Sequence, residues 1–577
     1  MLRRPERAGQ PPARGGFALV DLLLGLGLVG GVYAIATTAA RWTAPVTPSV
    51  AIDLAPAALP GYAALSVVRM AAAYLLALGF SLAYGRIAAT HRTAERVMLP
   101  ALDILQSIPI LSFMPGVVLA LVALFPTTNL GLELAAVLLI FTSQAWNLAF
   151  GFYQALITLP QEQREAALVY RLNAWQRFWK LELPAGAISL VWNSMMSWAG
   201  GWFFLIAAEQ FTLGDKDFRL PGLGSYLKVA ADAGDLGALL LGLATLVAVI
   251  VALDQLLWRP LVAFAERFKV EQSEASAVPT SWVLTALERS ALLAWLHERV
   301  LPPLGERLDR VAARLFPPPA PPAMGKSTGR ISLAGLLGAA LLAAAAIWGG
   351  WALIRLLTEL GPDDWAALPP AAGATFLRTA AALALGALWT VPVGLAIGLR
   401  PRWAQRAQPL VQIAASIPAT ALFPVLLLWL LRLPGGLDLA AIGLMLLGTQ
   451  WYILFNTIAG AQAIPTDLRE AAAVYRLTGW RRWRYLLLPG IFPYLITGMI
   501  TATGGAWNAS IVSEYVSFGG QQYATLGLGA LIASAANDGD YARLAAATLV
   551  MAGVVVTINR LLWRRLYWLA EERYRLG

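Results

Sequence analysis

A chain of 577 residues that is 58% hydrophobic and 13% charged, with a mean hydropathy of +0.64, has the composition of a polytopic membrane protein. It has no cysteine and two histidines, His91 and His297, both in charged segments, which leaves no basis for disulfides, thiolate metal sites or histidine-based catalysis. The formal charge of +10 sits in basic segments between apolar runs, which marks a cytoplasmic membrane face and argues against nucleic acid as a partner.

Spanning helices need roughly 20 apolar residues. In chain order the first six are expected near 17–40, 62–85, 101–125, 131–157, 186–211 and 237–258. The first run follows Arg3, Arg4, Arg7 and Arg14 and has the look of a signal peptide with small residues near Ala40, but its counterpart at 331–354 lies mid-chain, so a retained helix is expected. The second six are expected near 331–354, 372–399, 409–431, 439–463, 490–513 and 542–563. An amino terminus in the cytoplasm then puts Arg86, Arg92, Arg96, Arg400, Arg402 and Arg406 inside as well. An even number of crossings in each half makes the halves parallel repeats, related by an axis along the membrane normal.

The expected division is a first unit at 1–270, a linker at 271–330 and a second unit at 331–577. The linker holds two weakly amphipathic segments, Trp282 to Val300 and Leu304 to Phe316, and then a proline run from Pro317 to Pro322. These suit a cytoplasmic connection whose helices lie on the membrane or on a partner. Gly325-Lys326-Ser327 looks like the end of a phosphate-binding loop, but position 320 is alanine where the first glycine is required and no strand precedes it, so no ATP site is expected there.

The most specific signal is a duplicated segment, EQREAALVYRLNAWQRFWKLELP from Glu162 and DLREAAAVYRLTGWRRWRYLLLP from Asp467, in loops at about 159–184 and 464–489. Glu165 and Glu470, Pro184 and Pro489, Trp202 and Trp507, Glu209 and Glu514, and Trp258 and Trp563 all differ by 305 positions, which marks a gapless duplication. Each copy follows a proline, Pro160 or Pro465, and ends at Leu-Pro, where the fifth span is expected to start. Asp467 and Glu470 have the spacing of an acidic capping box.

These loops resemble the coupling loops of the inner-membrane permease subunits of binding-protein-dependent ABC importers, with their EAA pattern, a glycine and a terminal LP. The resemblance covers nearly the whole chain as two fused units and is closest to the nitrate, sulfonate and taurine branch. It implies an all-α polytopic fold of two tandem six-helix type I importer units, about 12 spans, in the bacterial inner membrane. It also implies two ABC ATPase subunits on the cytoplasmic side and a periplasmic or lipid-anchored solute-binding protein. ATP and magnesium would be held by the ATPases, with no cofactor and no enzymatic activity in this chain. Carried over by position, Glu165, Ala166, Ala167 and Pro184 form one coupling site, and Glu470, Ala471, Ala472 and Pro489 the other. The family's glycine falls on Arg171 and Arg476. Because arginine rarely adopts positive φ, the turn is expected slightly later, at Asn173 in one copy and Gly479 in the other, leaving the two arginines to pair with acidic groups on the ATPases.

A charge inside a span requires a partner. Arg69 with Glu209, and Arg378 with Glu514, are expected to form matching ion pairs near the periplasmic gate, the alternative being that each side chain reaches separately to the interface. Gln144 and Asn193 in the first half, with Gln450 and Asn508 in the second, are the polar candidates for a midplane path, against a simpler role as interhelical hydrogen-bonding groups. The nearest family branch implies a small anion such as nitrate, bicarbonate or a sulfonate. A secondary transporter of six plus six helices is the competing reading, but the loop GRIAATHRTAERVMLP between helices two and three lacks the basic motif it would carry.

Overall fold

The computed structural model describes residues 19–44, 50–213, 216–265, 281–315, 344, 347–518 and 521–573. The first half contains α1 (Leu19–Trp42), α2 (Leu59–Thr90), α3 (Arg92–Ser107), α4 (Ile110–Leu124), α5 (Leu130–Ile157), α6 (Gln161–Val169), α7 (Ala174–Arg177) and α8 (Leu183–Ala208). A hairpin, β1 (Gln210–Leu213) with β2 (Lys216–Arg219), leads into α9 (Leu223–Asp232), α10 (Leu236–Leu253) and α11 (Arg259–Ala265). The linker forms α12 (Trp282–Glu288), α13 (Ala291–Trp295) and α14 (Leu301–Leu315), and the next described helix is α15 (Ile347–Leu357). The order then repeats with α16 (Pro362–Gly398), α17 (Pro401–Ser416), α18 (Ala419–Leu430), α19 (Gly436–Ala463), α20 (Thr466–Val474), α21 (Gly479–Arg482) and α22 (Leu488–Ser513). A second hairpin, β3 (Tyr515–Phe518) with β4 (Gln521–Ala524), precedes α23 (Leu528–Asp538), α24 (Tyr541–Ile558) and α25 (Arg564–Arg573).

Among the described residues seven helices are long and apolar enough to cross a membrane, or eight if one bent pair is a single span. The expected span at 331–354 lies largely outside the described residues. Two other expected spans are each broken in the middle. At 101–125 the break falls between Ser107 and Ile110, and at 409–431 between Ser416 and Ala419, where the halves bend by 74°. The cause is local: Ile108 and Ile417 precede prolines and take extended ψ values of 124° and 117°, which a helix cannot continue through. The hairpins and the short helices α9 and α23 were not foreseen either. Both hairpins are antiparallel, pairing Gln210 with Arg219 and Tyr515 with Ala524, so they satisfy their own backbone groups before the chain turns back.

The α-helix after each duplicated loop begins at Leu183-Pro184 or Leu488-Pro489, as expected, but helical backbone already precedes it. In both copies α7 or α21 passes through a five-residue π-helical stretch, Phe178–Glu182 or Trp483–Leu487, and continues into α8 or α22. Proline lacks the N–H of an ordinary helical bond, and a local i→i+5 turn absorbs that defect without stopping the helix. Residues Gly479–Ser513 form one run of 35 residues, about 50 Å long.

By contacts the described residues fall into two compact units. One comprises those within Met1–Ala39, Ala155–Trp192 and Ala252–Met324. Here Asp21 of α1 is buried and accepts from Ser290 Oγ and from the Leu292 backbone N–H (3.1 Å), so it reinforces the start of α13. Asp309 of α14 accepts from Trp175 Nε1 at 3.1 Å and lies 3.3 Å from Lys180 Nζ, tying the linker to the first duplicated loop. The larger unit comprises the described residues within Ala40–Gln154, Asn193–Val251 and Gly325–Gly577. One of its core clusters gathers Trp507, Ile511, Leu528, Ile532, Leu544 and Met551, which packs α22, α23 and α24 together.

Candidate functional site

Each duplicated loop starts with a nine-residue helix whose N-cap is proline, Pro160 or Pro465. No side chain caps the second copy, so the expected Asp467–Glu470 capping box does not form. Asp467 sits instead in the first turn, where its charge complements the helix dipole. Arginines anchor the loops to the preceding spans: Arg164 Nη2 donates to the Leu156 and Ile157 carbonyls (2.7 and 3.0 Å), and Arg469 Nη2 to the Ala461 carbonyl (2.8 Å). Glu165, Ala166, Glu470 and Ala471 are exposed, whereas Ala167 and Ala472 are buried. The pair of alanines therefore has one member in contact with the protein and one presented outward.

The turn overturns an expectation. Arg171 and Arg476 have φ of 48° and 51° and are the only non-glycine residues with positive φ among the described residues. Leu172 N–H bonds to Ala167 O (3.0 Å) and Arg171 N–H to Leu168 O (2.9 Å), with the same pair from Leu477 to Ala472 (2.9 Å) and from Arg476 to Ala473 (3.0 Å). This is the Schellman closure, with arginine in the left-handed position usually held by glycine. Asn173 does not make the turn. It caps α7, its side chain accepting from Gln176 N–H at 2.8 Å, while Gly479 (φ 51°) opens α21. Two hydrogen bonds per loop outweigh a left-handed conformation that costs roughly 1–2 kcal/mol for an L-residue. Arg171→Gly and Arg476→Gly are each expected to stabilise the chain by about 1 kcal/mol in denaturant unfolding, and an unchanged midpoint would show that the strain is relieved elsewhere.

The two loops have different surroundings. Trp175 is half-buried with its ring N–H given to Asp309, whereas Trp480, its equivalent 305 positions on, is 71% exposed.

The structure brings the four charged candidates together in pairs and adds a second acid to each. Arg69 Nη1 lies 2.5 Å from Glu209 Oε1, while its Nε and Nη2 donate to both oxygens of Glu133 (2.6 and 2.9 Å). Arg378 Nη1 lies 2.8 Å from Glu514 Oε1, and its Nε and Nη2 donate to Asp438 Oδ1 (2.9 and 2.6 Å). Each glutamate also holds the start of a short helix. Glu209 accepts from Ser66 Oγ and Gly224 N–H (both 2.6 Å), and Glu514 from Thr375 Oγ1 (3.0 Å) and Gly529 N–H (2.9 Å). A Cβ at Gly222 or Gly527 would fall 2.3 or 2.0 Å from the glutamate carboxylate, so glycine is required at both approaches. Sequence reading missed Glu133 and Asp438, although their separation of 305 was available as a signal.

The four polar path candidates are dispersed. Gln144 is buried with Nε2 3.3 Å from Met70 Sδ, Gln450 Oε1 accepts from Trp389 Nε1 (3.0 Å), and Asn193 is half-buried and bonded. Only Asn508 of the four lines the apolar cavity of about 100 Å³ between α8, α19 and α22, whose wall includes Gly200, Phe203, Trp451, Tyr452 and Phe455. Gly200 and Gly505, and Phe203 and Asn508, are equivalent positions of the two repeats, so the cavity is built where the halves face each other.

The chain matches the model of the family described as binding-protein-dependent transport system inner membrane component twice, over residues 75–257 and 390–570, together well over half its length. It is 28% identical over 190 residues to the nitrate import permease protein NrtB of Leptolyngbya laminosa, covering 33% of this chain and 64% of that protein. It is 27% identical over 207 residues to the taurine transport system permease protein TauC of Escherichia coli (strain K12), covering 35% and 69%. A third similarity, 30% over 146 residues, is to the bicarbonate transport system permease protein CmpB of Synechococcus elongatus, covering 25% of this chain and 51% of that protein. The match therefore spans less than two thirds of the first and third of these relatives.

Proposed function

Since the chain belongs to the family of inner membrane components of binding-protein-dependent transport systems, we propose that it is the fused permease of an ATP-driven importer, forming by itself the path for a small anionic solute. Two ABC ATPase subunits would dock on the exposed faces of α6 and α20, and a solute-binding protein would deliver cargo on the opposite side. The observation that carries this reading is the continuous helix at Gly479–Ser513. Its loop end presents Glu470 and Ala471 nearby, and the residue after its far end, Glu514, is fixed to Arg378.

A rigid helix cannot absorb a displacement along its length, so a pull on the loop would reach the charge cluster that holds α16, α19 and α23 together. Arg171 and Arg476, exposed at the loop tips, suit pairing with acidic ATPase side chains. ATP and magnesium act on the partners, and the chemistry of this chain is limited to binding, coupling and opening.

The test is reconstitution of the chain with candidate ATPase and binding-protein partners in proteoliposomes. The expected result is uptake of labelled anion that needs ATP, the binding protein and two ATPase copies per chain. Uptake driven by a proton gradient without an ATPase would replace this reading with that of a secondary transporter.

A further inference from the structure

The cavity between the repeats narrows the solute class, an inference that rests on the permease reading. Its wall contains no lysine, arginine or histidine and is built mainly of Phe203, Trp451, Phe455 and other apolar groups. Asn508 is already committed, since its Oδ1 accepts from Ile110 N–H (2.6 Å) and its Nδ2 donates to Gly504 O (3.1 Å). Tyr452 differs. Its backbone carbonyl accepts from Asn456, but its hydroxyl makes no hydrogen bond among the described residues. Across from it, a Cβ placed on Gly200 would meet only that hydroxyl, at 3.3 Å, closer than ordinary van der Waals contact, so a side chain there would crowd the hydroxyl and glycine leaves it uncovered.

We propose that this cavity selects solutes with a short apolar body and one hydrogen-bond-accepting head, that Tyr452 donates to the head, and that Gly200 leaves that hydroxyl uncovered. About 100 Å³ accommodates a chain of roughly two to four carbons. A bare inorganic oxyanion entering the same space exchanges its full hydration for one hydrogen bond and apolar walls, with no cation to compensate. An organic anion loses water mainly at one end, while its hydrocarbon gains about 25 cal/mol for each Å² withdrawn from water.

The experiment uses the native chain in lipid nanodiscs and radiolabelled propane-1-sulfonate as the probe, displaced by unlabelled propane-1-sulfonate or by sodium nitrate. Nitrate is expected to need at least about tenfold higher concentration to displace the label. Tyr452→Phe, which keeps the ring and removes the donor, is expected to weaken binding about fivefold. Gly200→Val should remove binding by covering the hydroxyl. Equal displacement by nitrate, unchanged binding by Tyr452→Phe, or no binding of the probe would each overturn the assignment. Co-purification of ATPase subunits with the same variants separates the two levels: retained ATPase with failed discrimination sinks the cavity alone, whereas absent ATPase with the native chain sinks the permease reading.

Discussion

Arg69→Met is expected to lower the stability of the chain by about 3–5 kcal/mol, measured as a fall in the thermal or denaturant midpoint of the purified protein in nanodiscs. The guanidinium is 1% exposed and lies between Glu133 and Glu209, which are 5% and 0% exposed at their side chains. Methionine fills a similar volume, so the loss is electrostatic: two buried carboxylates would remain beside each other without a cation. Combining Arg69→Met with Glu133→Gln and Glu209→Gln should recover part of the loss, because neutral amides can still accept from Ser66 and Gly224. The matching Arg378→Met should cost less. Asp438 is 50% exposed and can turn to water, so only Glu514 would be left buried and unpaired. No loss at Arg69 would show that its cluster does not hold the fold, and equal losses at the two sites would show that the exposure of Asp438 brings no relief.

What could be read from the sequence follows from how each feature is encoded. The duplication, the loops and the arginine–glutamate pairs were legible because identity at fixed spacing does not depend on three-dimensional context. Glu133 and Asp438 were not, since a carboxylate in the first turn of a span reads equally well as a complement to the helix dipole. The breaks at Pro109 and Pro418 lie inside apolar runs long enough to pass for spans, and hydropathy carries no record of backbone direction. The hairpins are four-residue strands whose pattern is too short for period-two recognition. The left-handed arginines show helix-end closure overruling a residue preference: the loop needs two carbonyls satisfied at that point, whatever side chain stands there.

That division between contact and presentation makes Glu165→Arg with Glu470→Arg the most direct probe of the loops. Both glutamates are exposed, and among the described residues Glu165 is held only by Gln161 Nε2, at 2.8 Å within the same helix, so reversal should leave folding stability within about 0.5 kcal/mol. On a docked face the same change sets like charge against a partner that accommodated an acid, which costs several kcal/mol per site. The double variant is expected to lose both ATPase subunits and to drop ATP-dependent uptake by more than about a hundredfold, while its unfolding midpoint stays with the native chain. Each single variant should retain one ATPase. Glu470→Arg is expected to release its partner more completely, since the first loop is flanked by α14, with Trp175 and Lys180 held on Asp309. Alanine replacement of Arg164 or Arg469 offers the complementary case: it leaves the presented residues intact but frees the loop from the carbonyls of the preceding span. ATPase binding should then survive while uptake per ATP hydrolysed falls. A double glutamate variant that keeps two ATPase copies would place the docking surface elsewhere on the chain.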